Sequence, residues 1–106
     1  MNRTITPGEL TVLVQTGAVT ILDVRRQSDF DADRTILPGA EWRDPERLAE
    51  WGESVPTDRP VVIYCVRGGS VSNSVLDRLI ARGVPARYIE GGIEGWKAAG
   101  GLVAER

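Results

Sequence analysis

The chain has 106 residues, 42% hydrophobic and 26% charged, which is the size and composition of one globular domain able to bury a core without disulfides or metal. Its formal net charge of -2, with no basic run, argues against a nucleic acid or an acidic membrane surface as partner. Histidine is absent and Cys65 is the sole cysteine, which excludes Ser-His-Asp triads, Cys-His pairs and internal disulfides, and argues against an N/S zinc site.

Met1 to Leu10 carries no apolar signal-peptide core, and no apolar run approaches membrane-spanning length. A single cysteine also suits a reducing compartment, so a cytoplasmic location is expected. The first element is a helix opened by Thr6-Pro7-Gly8-Glu9, with Thr6 as N-cap, Pro7 at the first helical position and Glu9 completing a capping box. Leu10, Leu13 and Val14 share one face, and Gly17 ends the helix.

Val19 to Arg25 reads as a central parallel strand because it is almost continuously apolar. Asp23 and Arg25 sit two apart and point to the same side, either as a structural salt bridge or as support for a site above the strand ends. Ser28 is expected to cap a short turn or helix that sends Phe30 to the core. Leu37-Pro38-Gly39-Ala40 is a turn leading to a short strand, and Asp44-Pro45 opens a helix with Leu48 and Trp51 on one face. Trp42 and Trp51 read as packing aromatics rather than ligand platforms. Glu53 to Pro60 is a polar connection with two prolines.

Val61-Val62-Ile63-Tyr64 is a strand that runs directly into Cys65, and Gly68-Gly69 and a helical pattern follow. In that helix Val71, Val75, Leu76, Leu79 and Ile80 recur on one face until Gly83. The glycines allow the loop to turn successive backbone N–H groups inward, and the helix aims the positive end of its dipole at the same point. A thiol placed there is stabilised as its anion, so Cys65 is the candidate nucleophile, set against the alternative of an inert buried thiol. Ala86 to Glu90 is the next strand, and Gly91 to Trp96 turns the chain into a last short helix that ends near Gly100. Alternating strands and helices give an α/β class with a parallel sheet of about five strands.

Three stretches together resemble a single-domain rhodanese over Thr6 to Gly100. They are Leu22-Asp23-Val24-Arg25 with Asp29-Phe30, then Leu37-Pro38-Gly39-Ala40, then Val62 to Gly68 with Gly91-Gly92-Ile93-Glu94-Gly95-Trp96. The resemblance implies one rhodanese domain over residues 1–106, a central parallel sheet with helices on both faces, and a catalytic cysteine, Cys65, after a central strand. It implies that Val66, Arg67, Gly68, Gly69, Ser70 and Val71 cradle the substrate sulfur through backbone N–H groups, with Asp23, Arg25 and Ser72 in support. The expected activity is thiosulfate sulfurtransferase: sulfane sulfur passes from a small donor to cyanide or a thiol through a Cys65 persulfide, with no cofactor and no metal. Arg67, with Arg25 as second candidate, would attract the dianionic donor, and a sulfur-accepting protein is a further candidate partner. The chain departs from the family in carrying Ile36 where a histidine precedes Pro-Gly-Ala, and Ser70 and Val71 where many members carry a late arginine. Its loop also runs one residue longer. These departures keep a cysteine phosphatase or arsenate reductase open as an alternative. Because many relatives of this fold serve as binding domains, a non-catalytic rhodanese-like binding module is open as well, although such modules commonly lack the cysteine present here as Cys65.

Overall fold

A computed structural model describes residues 3–105; Met1, Asn2 and Arg106, the ends of the expected 1–106 unit, lie outside the described residues. The strands are β1 (Thr4–Ile5), β2 (Thr20–Asp23), β3 (Thr35–Ile36), β4 (Glu41–Trp42), β5 (Val61–Tyr64), β6 (Ala86–Ile89) and β7 (Ala104–Glu105). The α-helices are α1 (Pro7–Gln15), α2 (Gln27–Ala32), α3 (Leu48–Trp51), α4 (Ser70–Ala81) and α5 (Gly92–Ala98). The described residues form a five-stranded, all-parallel sheet in the order β1-β6-β5-β2-β4, and a separate antiparallel ribbon of β3 and β7. This is the α/β architecture that the alternating pattern indicated.

Strand alternation explains why β5 is apolar throughout and why β2 is apolar at Ile21 and Leu22. Val61 and Ile63 of β5 join Leu22 and Val24 in one core, packed under α4 through Val75, Leu76 and Leu79. Val62 and Tyr64 face the other way and join Ile21, Leu10 of α1, and Ile93 and Trp96 of α5. A parallel sheet covered on both faces needs side chains that are apolar on both faces. Each fully buried Val, Ile or Leu contributes roughly 1.5–3 kcal/mol.

The capping box on α1 forms as expected: the Glu9 N–H donates to Thr6 Oγ1 at 3.1 Å and the Thr6 N–H to Glu9 Oε1 at 2.9 Å. The Thr6 backbone N–H first, and then the Thr6 side chain, hold the Glu9 carboxyl below its usual pKa. Asp44 caps the next segment, accepting from the Glu46 N–H at 3.0 Å, but the first turn is a 3-10 turn (Pro45–Arg47) before α3 begins. Leu48 and Trp51 pack against the core under α4, and Trp51 Nε1 donates to Asp44 O at 2.7 Å.

Two expectations are corrected. The strand expected over Val19 to Arg25 spans only Thr20–Asp23, because the Arg25 N–H turns to Asp23 Oδ1 at 3.0 Å instead of continuing the ladder. Ser28 is not a cap: α2 starts earlier, with Arg26 at the cap position and the Phe30 N–H donating to Arg26 O at 2.9 Å. Among the described residues no helix is long and apolar enough to cross a membrane.

The sheet order reverses between β2 and β5. Asp23 and Tyr64 are register partners, so the two strands end side by side. Open α/β sheets bind ligands in the crevice at such a reversal, and Cys65 stands there.

Candidate active site

The Cys65 loop is held from behind. The Ile93 N–H donates to Cys65 O at 2.9 Å and the Glu94 N–H donates to Val66 O at 3.1 Å, so the first turn of α5 takes up both carbonyls. That approach requires Gly92, which has φ +61; a Cβ there would lie 2.5 Å from Cys65 O, Val66 C and Val66 O. Gly68 has φ +74 and packs on the same turn, where a Cβ would sit 3.2 Å from Gly91 N and Ile89 O. Positive φ is readily available only to glycine, which explains the Gly68 and Gly91-Gly92 positions together.

The other side of the loop is left open. Among the described residues the N–H groups of Val66 through Ser72 donate to no protein acceptor. Unsatisfied donors of this kind, followed by the first turn of the twelve-residue α4, are suited to an anion. Cys65 is 6% exposed, and what it exposes faces a shallow depression of about 330 Å³ lined also by Arg26, Asp29, Val66, Arg67, Gly69, Ser70 and Val71. Arg26 and Arg67 are exposed and form no ion pair among the described residues. Ser72 is fully buried in the first turn of α4, and its Oγ has no hydrogen-bond partner among the described residues. Gly68 lies behind the loop and is not part of the lining.

Asp23 and Arg25 form a buried pair beside this depression rather than in it. Arg25 is 1% exposed, and Asp23 accepts from Arg25 Nη2 at 2.7 Å and from Nε at 3.0 Å. Arg25 Nη2 also donates to Thr35 O at 2.9 Å. The guanidinium stacks between the rings of Phe30, at 5.5 Å, and Tyr64, at 5.8 Å. Phe30 in turn stacks on Trp42 at 4.7 Å, and Trp42 Nε1 donates to Arg25 O at 2.9 Å. Burial opposes the Arg25 charge, but its bonds to Asp23 outweigh that and raise its pKa. Burial likewise pushes the Tyr64 phenol far above its ordinary range, with the Asp23 carboxylate adding to it, so Tyr64 stays protonated. Its hydroxyl accepts from the Leu37 N–H at 3.3 Å and fixes the Leu37-Pro38 turn.

The network continues outward. Asp33 Oδ2 lies 3.5 Å from Arg25 Nη1 and accepts from Lys97 Nζ at 2.6 Å. Burial alone would raise the Asp33 carboxyl, but Lys97 and the Thr35 hydroxyl and N–H hold it well below the usual carboxylate range. This ties α2, β3 and α5 to the end of β2.

The structure thus brings Cys65, Val66, Arg67, Gly69, Ser70 and Val71 to one depression, with Gly68 and Ser72 behind it. It corrects one role: Arg25 cannot be a rim cation that meets a donor, because it is buried, its Nε and Nη2 are directed at Asp23 and Thr35, and its Nη1 is buried beside Asp33. The rim cations are Arg67 and Arg26. Arg26 and Asp29 were not singled out for the site from the sequence. The available signal was that β2 ends beside β5, which carries the residues just after Asp-Val-Arg over the Cys65 loop.

The profile of the rhodanese-like domain matches residues 6–99. The chain is 32% identical over 99 residues to the thiosulfate sulfurtransferase GlpE of Coxiella burnetii, covering 92% of this chain and 90% of that one. It is 33% identical over 97 residues to the protein of the same name from Actinobacillus succinogenes, covering 91% and 85%. A rhodanese-related protein from Thermoplasma volcanium superposes with a TM-score of 0.83 at 24% identity, over 96% of this chain and 97% of that one. From the profile match and these identities, the chain belongs to the rhodanese-like domain family.

Proposed function

We propose that this protein is a sulfurtransferase that carries sulfane sulfur on Cys65, with residues 1–106 acting as one rhodanese domain. The Cys65 thiolate attacks the outer sulfur of a donor such as thiosulfate. A new S–S bond forms to Cys65, the donor S–S bond breaks, and sulfite leaves with the bonding electron pair. The outer persulfide sulfur carries negative charge, and the N–H groups of Val66, Arg67, Gly68, Gly69, Ser70 and Val71 hold it. An acceptor thiolate or cyanide then attacks that sulfur and Cys65 leaves as thiolate, a two-step exchange with ping-pong kinetics. No second cysteine exists to resolve the persulfide internally, so the sulfur must go to an external acceptor. Arg67, on the rim, draws the dianionic donor.

The observation that carries this reading is the run of backbone N–H groups without protein acceptors beside a cysteine that lines an open depression. The relatives named thiosulfate sulfurtransferase support it. A phosphatase gains from an arginine fork on the equatorial oxygens, and Val71 offers none. Intact mass is the test: one added sulfur atom after thiosulfate, lost after cyanide, and no addition in Cys65→Ser. Aryl phosphate hydrolysis that disappears in Cys65→Ser would assign the site to phosphate chemistry instead. A thiol that neither loads sulfur nor reacts quickly with iodoacetamide near pH 6 would leave a binding module.

A further inference from the structure

Away from the Cys65 loop, α1 and the tail 98–105 border an apolar groove of about 300 Å³. Val14, Ile21, Leu37, Pro38 and Trp96 wall it, and it shares no residue with the depression at Cys65. Among the described residues the four most exposed large hydrophobic side chains are Val12, Val14, Leu102 and Val103. Val14 and Leu102 line the groove, and Val12 and Val103 lie within two residues of them. The same face is free of charge. Leu10 to Leu22 holds no charged residue, nor does Ala98 to Ala104, in a chain of which 26% is charged. No charged side chain among the described residues lines the groove. Leu102 is 78% exposed at its rim, yet its backbone is fixed. Trp96 Nε1 donates to Leu102 O at 2.7 Å, the Gly101 N–H donates to Trp96 O at 2.9 Å, and Gly101 lies so flat on the Trp96 ring that a Cβ has no room. Two residues on, Ala104 pairs with Ile36. Contiguous exposed apolar side chains around a groove mark an interaction site.

We propose that this face is the interface of a two-fold symmetric dimer, in which Leu102 of each copy enters the groove of the other. The occupant is a second copy because the face is complementary to itself. It carries a knob and a hole side by side, and a two-fold axis brings each onto the other. Charge agrees. Two copies of net charge -2 repel. A face without charges brings them together with no like-charge pair across it and no buried charge left unpaired. A partner recognised by charge would find nothing here to pair with. A membrane surface is a poor match, since an interfacial helix carries Lys or Arg on its polar face and α1 carries Glu9 as its one charge. The backbone anchors on both sides of Leu102 fix the knob before contact, so little ordering entropy is lost. The face is confined to a nine-residue helix and the tail. That is the low end of interface sizes, and the expected Kd is on the order of 10 µM. None of these residues takes part in the proposed sulfur transfer, so the dimer and the transfer stand or fall separately.

The test is sedimentation velocity of the full chain in reductant, which excludes a disulfide between Cys65 thiols. The mass is expected to move from 11.5 kDa toward twice that value as concentration rises from about 1 to about 500 µM. Leu102→Lys should raise Kd at least about a hundredfold, because a symmetric dimer loses two buried leucines at once. Leu102 is 78% exposed, so the variant should keep the circular dichroism and sulfur loading of the wild type. Gln15→Glu, which places an unpaired carboxylate at the groove, should raise Kd about tenfold or more. Mixing the two variants tests the reciprocal contact. The mixed pair has one native Leu102 contact and one lysine–glutamate contact, so it should associate at least about tenfold more tightly than either variant alone. Amide shifts that move with concentration at 11–15 and 100–104 support the same face. A wild type that stays monomeric overturns the dimer, as do variants that associate as the wild type does, or a mixture no tighter than its components. Cosedimentation of the monomer with phosphatidylcholine vesicles would overturn it in favour of a membrane.

Discussion

Gly92→Ala isolates the contact between α5 and the Cys65 loop. Two effects add at that position. An alanine at φ +61 bears the left-handed backbone penalty of roughly 1–2 kcal/mol. Its Cβ would also lie 2.5 Å from Cys65 O, Val66 C and Val66 O, all backbone atoms with no flexible end to swing away. Relief requires α5 and the loop to separate, at about 1–3 kcal/mol for overpacking and about 0.5–1.5 kcal/mol for each of the two hydrogen bonds from Ile93 and Glu94. Gly17 is the control, since it has φ +72 and nothing within 4 Å of its Cβ position. Gly92→Ala should therefore be about 2–6 kcal/mol less stable than Gly17→Ala. In thermal unfolding followed by circular dichroism, that is a Tm gap of at least about 8 °C. Gly68→Ala, with φ +74 and contacts at 3.2 Å, should fall between them. It supplies the readout if Gly92→Ala does not fold. Sulfur loading measured by mass should decline in the same order. If Gly92→Ala and Gly17→Ala unfold within about 1 kcal/mol of each other and both load sulfur as the wild type does, the close approach does not hold the loop.

Arg25→Met should destabilise by about 3–5 kcal/mol in urea unfolding, because Asp23 is left fully buried without a counter-charge. The double variant Asp23→Leu/Arg25→Met should recover part of that loss, and a double variant no better than the single one would show that the pair is not coupled. The Asp33 carboxyl is held below its usual pKa in the folded chain. Its contribution is therefore complete above the unfolded carboxylate value of about 4 and is lost as pH falls toward the lower folded value. Lys97→Met should destabilise by about 0.5–1 kcal/mol at pH 7, a small figure because both partners are about a third exposed, and by nearly as much at pH 3, because the folded Asp33 carboxyl, held well below its usual range, is still ionised there. Loss of the effect by pH 3 would contradict this linkage.

The parts of the fold readable from the residues are those with repeated physical signals. The α4 face recurs at helical spacing through Val71, Val75, Leu76 and Leu79, and β2 and β5 are too apolar to face water on either side. The α1 cap is a local hydrogen-bond pattern spelled out by Thr6 and Glu9. By contrast, β1, β3 and β7 are two residues each, too short for any period, and exist because a neighbour offers an edge: β6 for β1, and each other for β3 and β7. Local rules also misplace the role of Arg25. A strand-end arginine reads as exposed until Phe30, Tyr64 and the Thr35 carbonyl close around it, and those come from three other elements.

The cradle at Cys65 depends on sorting peptide groups that come in equal numbers. Each residue of the loop carries one N–H and one C=O, so a ring of donors around an anion requires its carbonyls to be satisfied elsewhere. Here α5 takes the first two, through Ile93 and Glu94, and the Asn73 N–H and side chain both donate to Gly69 O, at 3.3 and 3.2 Å. With the Cys65, Val66 and Gly69 carbonyls engaged from behind and from the helix, the face toward the depression keeps its donors. The arrangement has no side-chain cation at its centre, where Val71 stands in place of a late arginine. In the proposed sulfur transfer, charge on the substrate is met at the rim by Arg67 and Arg26, where contact depends on the whole ligand rather than on the sulfur alone. A site of that kind would fix the chemistry at Cys65 through the backbone and leave substrate choice to exposed side chains.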